Sequence, residues 1–417
     1  MDESTLARRL GTTDAVVIGL GSMMGAGVFA AFGPAAQAAG VGLLIGLVLA
    51  AAIAYCNATA SARLAARYPM SGGTYLYGRE RLGPWWGFIA GWGFVVGKTA
   101  SCAAMALTLA SYAIPGPQWA QRAVAVAAVL ALTALNYRGV TKTALLARIL
   151  VVCTLIALAV VVVGIVVARP GPSHLTAGWS HVTGYGVLQS AGLLFFAFAG
   201  YARIATMGEE VRDPARTIPR AIGIALGIAV VVYLVVGVAV LLAAGPARLA
   251  GATAPLAEAL RAVDGSSLLP VVAVGGVLAS LGALLALIAG VGRTTLAMAR
   301  HRDLPGWLAA VHPRYQVPHH AEIALAVVVC VLAATIDLRG VIGFSSFGVL
   351  IYYAIANAAA YTLPSGGWLR ILSVAGLIGC LVLVATLPWT SVAAGLAVFA
   401  VGMVGRWVRL ITDQRRG

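Results

Sequence analysis

Residues 18–29 read IGLGSMMGAGVF and place four glycines within nine residues of an otherwise apolar segment. Glycine costs about 1 kcal/mol in the interior of a helix, so this run weakens a helix near its middle. The surrounding sequence is apolar over the roughly 20 residues that a membrane-spanning helix requires. The stretch therefore predicts a membrane helix that is interrupted at its centre.

The composition of the whole chain also indicates a membrane protein. Hydrophobic residues make up 61% of the 417 residues and charged residues only 10%, whereas an average soluble domain is about 25% charged. There are too few charges to cover a surface that faces water. The 50 glycines are typical of closely packed membrane helices. The predicted fold class is an all-α integral membrane protein.

About twelve segments are long and apolar enough to cross a bilayer. Residues 252–263 are too short and too polar to cross, and predict a helix at the membrane surface. The approximate limits of the predicted spans are 14–37, 41–66, 85–113, 119–136, 144–168, 186–208, 219–243, 267–298, 321–336, 341–363, 368–387 and 390–408.

Lysine and arginine are distributed unevenly between the two sides of this arrangement. With the N-terminus inside, 20 of the 28 fall on the cytoplasmic side and five outside, while Lys98, Arg203 and Arg293 lie within spans. Short cytoplasmic loops carry an excess of positive charge. We therefore expect a cytoplasmic membrane location with both termini cytoplasmic. The net charge of +15 is then a topology signal rather than a nucleic-acid-binding surface.

A second weak point lies in the sixth span, where residues 195–202 read FFAFAGYA around Gly200. Interrupted segments at corresponding positions of two halves indicate the binding site of a transporter. Unwinding frees backbone N–H and C=O groups that lipid cannot satisfy and that a zwitterion can. Helix packing is the alternative for the first span, because Gly21 and Gly25 form a small-xxx-small pair.

Several motifs, in order along the chain, resemble one family of membrane transporters. GSMMGAGVF at 21–29 resembles the first-helix signature of the amino acid–polyamine–organocation superfamily. GEEVRDPARTIP at 208–219 is similar to the loop after the sixth helix of that family. Residues 68–75 and 136–140 are similar to its second-to-third and fourth-to-fifth loops. Residues 298–318 resemble the cationic-amino-acid-transporter-like branch.

This resemblance implies a leucine-transporter-like fold of about 12 transmembrane helices, in which a five-plus-five inverted repeat is followed by two C-terminal helices. Residues 1–417 would form a single transporter domain. Its first repeat would occupy 14–168, its second 186–363, and the last two helices 368–408. The implied function is a secondary transporter, not an enzyme, that moves amino acids by alternating access with proton coupling or exchange.

Two other functions stay open: a membrane sensor that binds an amino acid without moving it, and a polyamine or organic-cation antiporter. A dication would need an acidic group or an aromatic cage. All thirteen acidic residues lie in loops or near span ends, which disfavours lysine, arginine and polyamines. Sodium is disfavoured because related sodium sites use paired hydroxyls in the eighth helix, and this span has only Ser280 before Thr294. The predicted partners are a small-molecule substrate and the lipid bilayer, with no nucleic acid, no cofactor, no metal and no assigned oligomeric state.

The resemblance also implies where an amino acid binds. Backbone N–H groups of Gly25, Ala26 and Gly27 would bind the substrate carboxylate. Backbone carbonyl groups freed by the two breaks would bind its ammonium group.

Those carbonyl groups would be the ones of Met23, Phe196 and Ala199, with Gly200 supplying the second break. The ring of Phe196 would close over the ligand as an aromatic gate. A lipid-facing or packing role is the alternative for Phe196, because phenylalanine is common in membrane helices.

Lys98 and Arg203 are the candidate coupling residues. A charged residue within a membrane is costly and functional by default. Some proton-coupled members of the family carry a lysine in the fifth helix, where this chain has Thr154. Lys98, after Gly93 and Gly97, is then the candidate proton carrier beside the first break, and the alternative is a lysine that extends to the interface. Arg203 either faces the pocket or binds freed carbonyl groups.

Overall fold

The computed structural model describes residues 10–68, 72–138, 144–176, 178–205, 207, 211–364 and 366–414. Within these ranges the chain is helical, and its one pairing of extended backbone joins Leu10 to Val211. Five of the 20 basic residues expected on the cytoplasmic side lie outside these ranges, as do the motif positions 69–71, 139–140 and 208–210. The five are Arg8, Arg9, Lys142, Arg415 and Arg416.

The described residues form eighteen α-helices, joined by loops and short 3-10 turns. In chain order they are α1 (Thr12–Met23), α2 (Ala26–Ala30), α3 (Phe32–Ala39), α4 (Leu43–Arg67), α5 (Thr74–Leu82), α6 (Pro84–Ala113), α7 (Gln118–Tyr137), α8 (Ala144–Ala168), α9 (Ser173–Thr176), α10 (Gly184–Phe198), α11 (Ala202–Ala205), α12 (Pro214–Gly251), α13 (Pro255–Ala262), α14 (Leu269–Arg300), α15 (His319–Thr335), α16 (Leu338–Tyr361), α17 (Gly367–Thr386) and α18 (Trp389–Gln414).

Eleven helical segments of the described residues are long and apolar enough to cross a membrane. The apolar helix α15 is shorter, with 17 residues. The predicted all-α membrane fold is confirmed. The count of about twelve spans and the division into two repeats stay predictions.

The first predicted span is divided at its glycine run. Helix α1 ends at Met23, and the next two residues leave helical geometry, with ψ of 27° at Met24 and −136° at Gly25. Helix α2 begins directly after Gly25. In the sixth span, α10 passes through the 3-10 turn Ala199–Tyr201 into the short α11. The second break is therefore a tightening of the helix, whereas the first is a true interruption.

Helix α12 is also divided, at a point just beyond the predicted span 219–243. A straight helix of its 38 residues would be about 57 Å long, well beyond the bilayer core. Gly245 has a φ of 68° and is followed by Pro246, so the helix turns there. Within residues 252–263, predicted as a surface helix, α13 spans Pro255–Ala262 and buries Leu256 and Leu260 against the bundle.

The helices divide into a buried centre and a lipid-facing periphery. Most residues of α6 and α16 are buried among their neighbours. Helices α8, α17 and α18 instead expose large apolar side chains, as shown by Val167 at 73% and Val401 at 71%. Apolar patches of this extent are rare on soluble monomers, and lipid is the solvent that they fit.

A buried ion cluster at one end of the bundle fixes α18 to the core. Asp303, which follows α14, accepts from Tyr75 Oη at 2.8 Å, Arg79 Nη1 at 3.3 Å and Arg406 Nη2 at 3.0 Å. The Arg406 guanidinium also lies 4.7 Å from the ring centroid of Trp85. Burial and the Asp303 carboxylate raise the pKa of Tyr75, which keeps its hydroxyl a donor.

Candidate substrate-binding site

The two helix breaks are in backbone contact with each other. A Cβ atom added to Gly27 would lie 2.5 Å from Cα of Ala197 on α10. A Cβ atom added to Gly200 would overlap the carbonyl group of Ser22 on α1. Side chains at these two positions would force the helices apart, which explains why glycine occupies them.

Gly25 faces a third helix. A Cβ atom there would lie 2.6 Å from Cβ of Ala283 on α14 and 3.5 Å from Cε of Met105 on α6. Gly25 and Gly27 therefore pack on opposite neighbours, α14 and α10. The segment that follows the first break therefore lies between α14 and α10.

The residues predicted from the two breaks lie in one buried region. Met23, Gly25, Ala26 and Gly27 are buried on the first broken span, and Phe196 and Ala199 on the second. Gly200 is half-buried and packs on Ser22. Phe196 is only 7% exposed, which excludes a lipid-facing position.

A single tyrosine joins carbonyl groups of both breaks. The Tyr233 hydroxyl on α12 lies 2.7 Å from the carbonyl oxygen of Met23 and 3.0 Å from that of Ala197. Tyr233 is 1% exposed. The freed carbonyl of Met23, predicted to bind a ligand ammonium, thus has a protein donor in this conformation.

Lys98 reaches the second break. Its Nζ donates to the carbonyl oxygen of Ala199 at 3.1 Å, and the Tyr353 hydroxyl on α16 donates to the same oxygen at 3.3 Å. Lys98 is 5% exposed, so it does not extend to an interface. An ammonium group of the protein itself therefore occupies one of the positions predicted for the substrate ammonium.

Gly93 and Gly97, which precede Lys98 on α6, pack against α16. A Cβ atom at Gly93 would lie 2.8 Å from the carbonyl oxygen of Gly348, and one at Gly97 would lie 3.1 Å from that of Ser345. Both glycines therefore permit close packing of α6 on α16. The carbonyl that Lys98 reaches belongs to Ala199 of the second break, not to the first.

The other two polar positions are Thr154 on α8 and Arg203 on α11. Thr154, at the position where some relatives carry a lysine, is buried and donates to the carbonyl oxygen of Leu150 on its own helix at 2.8 Å. Arg203 is half-buried on α11, just beyond the second break.

Sequence reasoning missed the tyrosines that bind the broken backbone. Besides Tyr233 and Tyr353, Tyr112 of α6 donates to the carbonyl oxygen of Phe29 at 2.8 Å. Its hydroxyl accepts from the backbone N–H of Leu256 on α13 at 3.3 Å. A buried tyrosine hydroxyl usually finds a hydrogen-bond partner, but the sequence does not show which tyrosines are buried beside the breaks.

Known proteins with similar sequences span the whole chain. The family model for amino acid permeases matches residues 10–404. An uncharacterized transporter of Mycobacterium tuberculosis is 62% identical over 414 residues, with 98% of this chain and 93% of that protein covered. The branched-chain amino acid permease of Bacillus subtilis is 26% identical over 438 residues, with coverage of 96% and 93%. The vacuolar cationic amino acid transporter 4 of Arabidopsis thaliana is 28% identical over 376 residues, with coverage of 84% and 62%. The chain therefore belongs to the amino acid permease family of the amino acid–polyamine–organocation superfamily.

Proposed function

We propose that this protein is a sodium-independent secondary transporter that moves an amino acid with a neutral side chain across the cytoplasmic membrane by alternating access. The observation that carries the proposal is the meeting of two broken helices at a buried point where backbone carbonyl groups are held by side-chain donors. Such a point offers backbone hydrogen bonds to a zwitterion where lipid offers none.

The backbone N–H groups that follow the first break would bind the substrate carboxylate. Gly25, Ala26 and Gly27 begin the helical segment after the first break, so their N–H groups lack carbonyl partners one turn earlier. Partial positive charge at such a start favours an anion. The substrate carboxylate would lie against these amides.

Backbone carbonyl groups at the two breaks would bind the substrate ammonium. The groups of Met23 and Ala199 would accept from it, after displacement of the Tyr233 hydroxyl and the Lys98 ammonium that bind them. Phe196 would cover the ligand and exclude water from it.

Lys98 would couple this exchange to protons. With its proton, Lys98 holds the Ala199 carbonyl and closes the second break. Without it, the bond weakens and the carbonyl becomes available to the substrate. Proton movement and substrate movement would then depend on the same backbone group.

A neutral side chain is favoured by where the acidic residues lie. The buried carboxylates of the described residues are Asp303 and Glu322. Asp303 follows α14 within the ion cluster, and Glu322 lies in the first turn of α15. Neither belongs to the two breaks, so a cationic side chain would find no counter-charge there. Helix α14 has only Ser280 as a hydroxyl before Thr294, which supports sodium independence.

Counterflow of radiolabelled amino acids in proteoliposomes tests the proposal. Vesicles that contain the protein and an unlabelled internal amino acid are expected to accumulate the labelled one, with neutral amino acids giving the largest signal. Labelled substrate that binds the purified protein but shows no counterflow would indicate a sensor, and would overturn the transport proposal.

A further inference from the structure

A second buried polar cluster adjoins the site and shares Tyr353 with it. It lies between α4, α16 and α17 and consists of Tyr201, Tyr353, Asn57, Asn357 and Cys380. Both asparagines and both tyrosines are 0% exposed. Burying an amide in an apolar interior costs free energy unless the amide is hydrogen-bonded.

The cluster connects directly to Lys98 through one carbonyl oxygen. Lys98 Nζ and the Tyr353 hydroxyl both donate to the carbonyl of Ala199, at 3.1 and 3.3 Å. The ring of Tyr201 stacks beside that of Tyr353, with centroids 5.0 Å apart.

The two asparagines continue the chain of polar groups. Asn357 Nδ2 donates to Asn57 Oδ1 at 2.6 Å and to the carbonyl oxygen of its own Tyr353 at 2.9 Å. Cys380 Sγ donates to Asn57 Oδ1 at 3.4 Å. Polar side chains thus lie between Lys98 and the middle of α4, although not every pair of neighbours is hydrogen-bonded.

Three atoms of the cluster lack a partner within the described part of the chain. They are the Tyr201 hydroxyl, Asn57 Nδ2 and Asn357 Oδ1. One is an amide donor, one an amide acceptor, and the hydroxyl can act as either. Such a combination, fully buried and in one place, suits water molecules that make two to four hydrogen bonds each.

The polar line continues toward the end of α4. Ser61 lies one turn beyond Asn57 on the same face, about 6 Å further. It is 2% exposed, and its hydroxyl has no partner among the described residues. Beyond it, Arg63 Nη1 lies 3.5 Å from the Ser373 hydroxyl, near the start of α17. This is the end of the bundle where α4 finishes and α17 begins.

We propose that water molecules held by these polar groups between α4, α16 and α17 carry protons between Lys98 and this end of the bundle. The inference rests on the proposed coupling role of Lys98. A proton that leaves the Lys98 ammonium passes to a water bound at Tyr353 and Tyr201. Each further step breaks one O–H bond and forms another, so that Lys98 is left neutral and one proton is released at the far end.

The surroundings of Lys98 leave few other acceptors for the proton. The titratable side chains near it are Cys102 on its own helix and Tyr353 on α16, which binds the same carbonyl group, and the rings of Tyr201 and Tyr352 pack on that of Tyr353. All of these are weak acids, so none competes with water as a carrier. The path therefore depends on the polar groups that hold the water in place.

Asn57→Leu/Asn357→Leu tests the path by removing both amides at nearly constant shape. Replacing both partners of a buried hydrogen bond by apolar groups of similar shape leaves little unsatisfied. Accumulation driven by a pH gradient is expected to fall to the level of Lys98→Ala, while counterflow in the same vesicles is retained. Wild-type accumulation in this double variant, with Lys98→Ala inactive in the same assay, overturns the path alone.

Two single variants keep the test decisive if the double variant does not fold. Asn357→Asp retains a polar group that relays protons, and is expected to keep gradient-driven accumulation, whereas Asn357→Leu loses it. Equal accumulation by these two variants overturns the path. Unchanged accumulation by Lys98→Ala overturns the coupling role and the path together, and a wild type without counterflow overturns the transport function itself.

Discussion

Gly27 and Ala197 meet across the two broken spans, and no side chain fits between them. A Cβ atom at Gly27 would lie 2.5 Å from Cα and 2.8 Å from Cβ of Ala197. Such distances are far below van der Waals contact, so any larger residue must move α10 relative to α2. The same glycines therefore both weaken the helix and allow α2 to pack closely on α10. The packing and binding interpretations of the glycine run are compatible.

Gly27→Ala is the smallest change that tests this contact. Overpacking a tight interface costs about 1–3 kcal/mol, so we expect a lower melting temperature of the purified protein and loss of counterflow. Gly227→Ala on α12 is the matched control, because a Cβ atom there meets nothing within 4 Å. Wild-type counterflow by Gly27→Ala would contradict the proposed placement of the substrate carboxylate.

Tyr233→Phe tests the bridge between the breaks. The change removes one hydroxyl and leaves the carbonyl groups of Met23 and Ala197 without this donor. A buried group left unsatisfied costs about 1–3 kcal/mol, so thermal stability and counterflow should both fall. Tyr185→Phe, which changes a side chain that is 56% exposed, is expected to leave both unchanged. Equal melting temperatures for the two variants would show that the bridge contributes nothing.

Lys98→Ala tests coupling. Without the ammonium group, accumulation that depends on a pH gradient is expected to disappear, while counterflow, which needs no net proton movement, is retained. Thr154→Ala is the control, because the Thr154 hydroxyl bonds only its own helix in the described contacts and is expected to leave the pH dependence unchanged. If Thr154→Ala instead loses the accumulation that depends on a pH gradient and Lys98→Ala keeps it, the coupling group lies on α8.

Asp303→Asn tests the buried ion cluster. Removing one partner of a buried ion pair costs about 3–5 kcal/mol, because the remaining charge loses its compensation. Arg406 and Asp303 are 5% and 4% exposed, so a large drop in thermal stability is expected. Asp213→Asn is the control: its pair with Arg216 is 3.9 Å long, with side chains 78% and 59% exposed, and such pairs contribute about 0–1 kcal/mol. Similar melting temperatures for both variants would count against a stabilising role of the cluster.

Terminal reporter fusions test the orientation. The 20-to-five distribution of positive charge predicts that a reporter at either end is cytoplasmic. A reporter active only in the cytoplasm should therefore give a signal from both fusions. A signal from one terminus alone would require an odd number of spans and would remove the predicted twelfth span.

The sequence alone was sufficient to predict that lipid surrounds most of the protein, that the fold is all-α, and where the first helix break lies. Too few charges for a water-facing surface, together with apolar segments of membrane length, indicate a helical membrane protein before any contact is known. Four glycines in nine residues weaken a helix locally, and the helix does end between Met23 and Ala26. Motifs spread along the chain indicated the family, which the match over residues 10–404 confirms.

Only the tertiary structure decided which side chains meet at the breaks. Lys98 was singled out by its burial cost, but its partner, Ala199, is 101 positions away in the sequence. Tyr233 and Tyr353 have no distinguishing local pattern, since a tyrosine in an apolar helix has the same sequence signature wherever its hydroxyl points. Hydrophobic periodicity is a property of one helix, whereas the pairing of a hydroxyl with a freed carbonyl depends on how separate helices cross. That crossing is set by close contacts such as Gly27 with Ala197 and Gly200 with Ser22, which exist only once the bundle has packed.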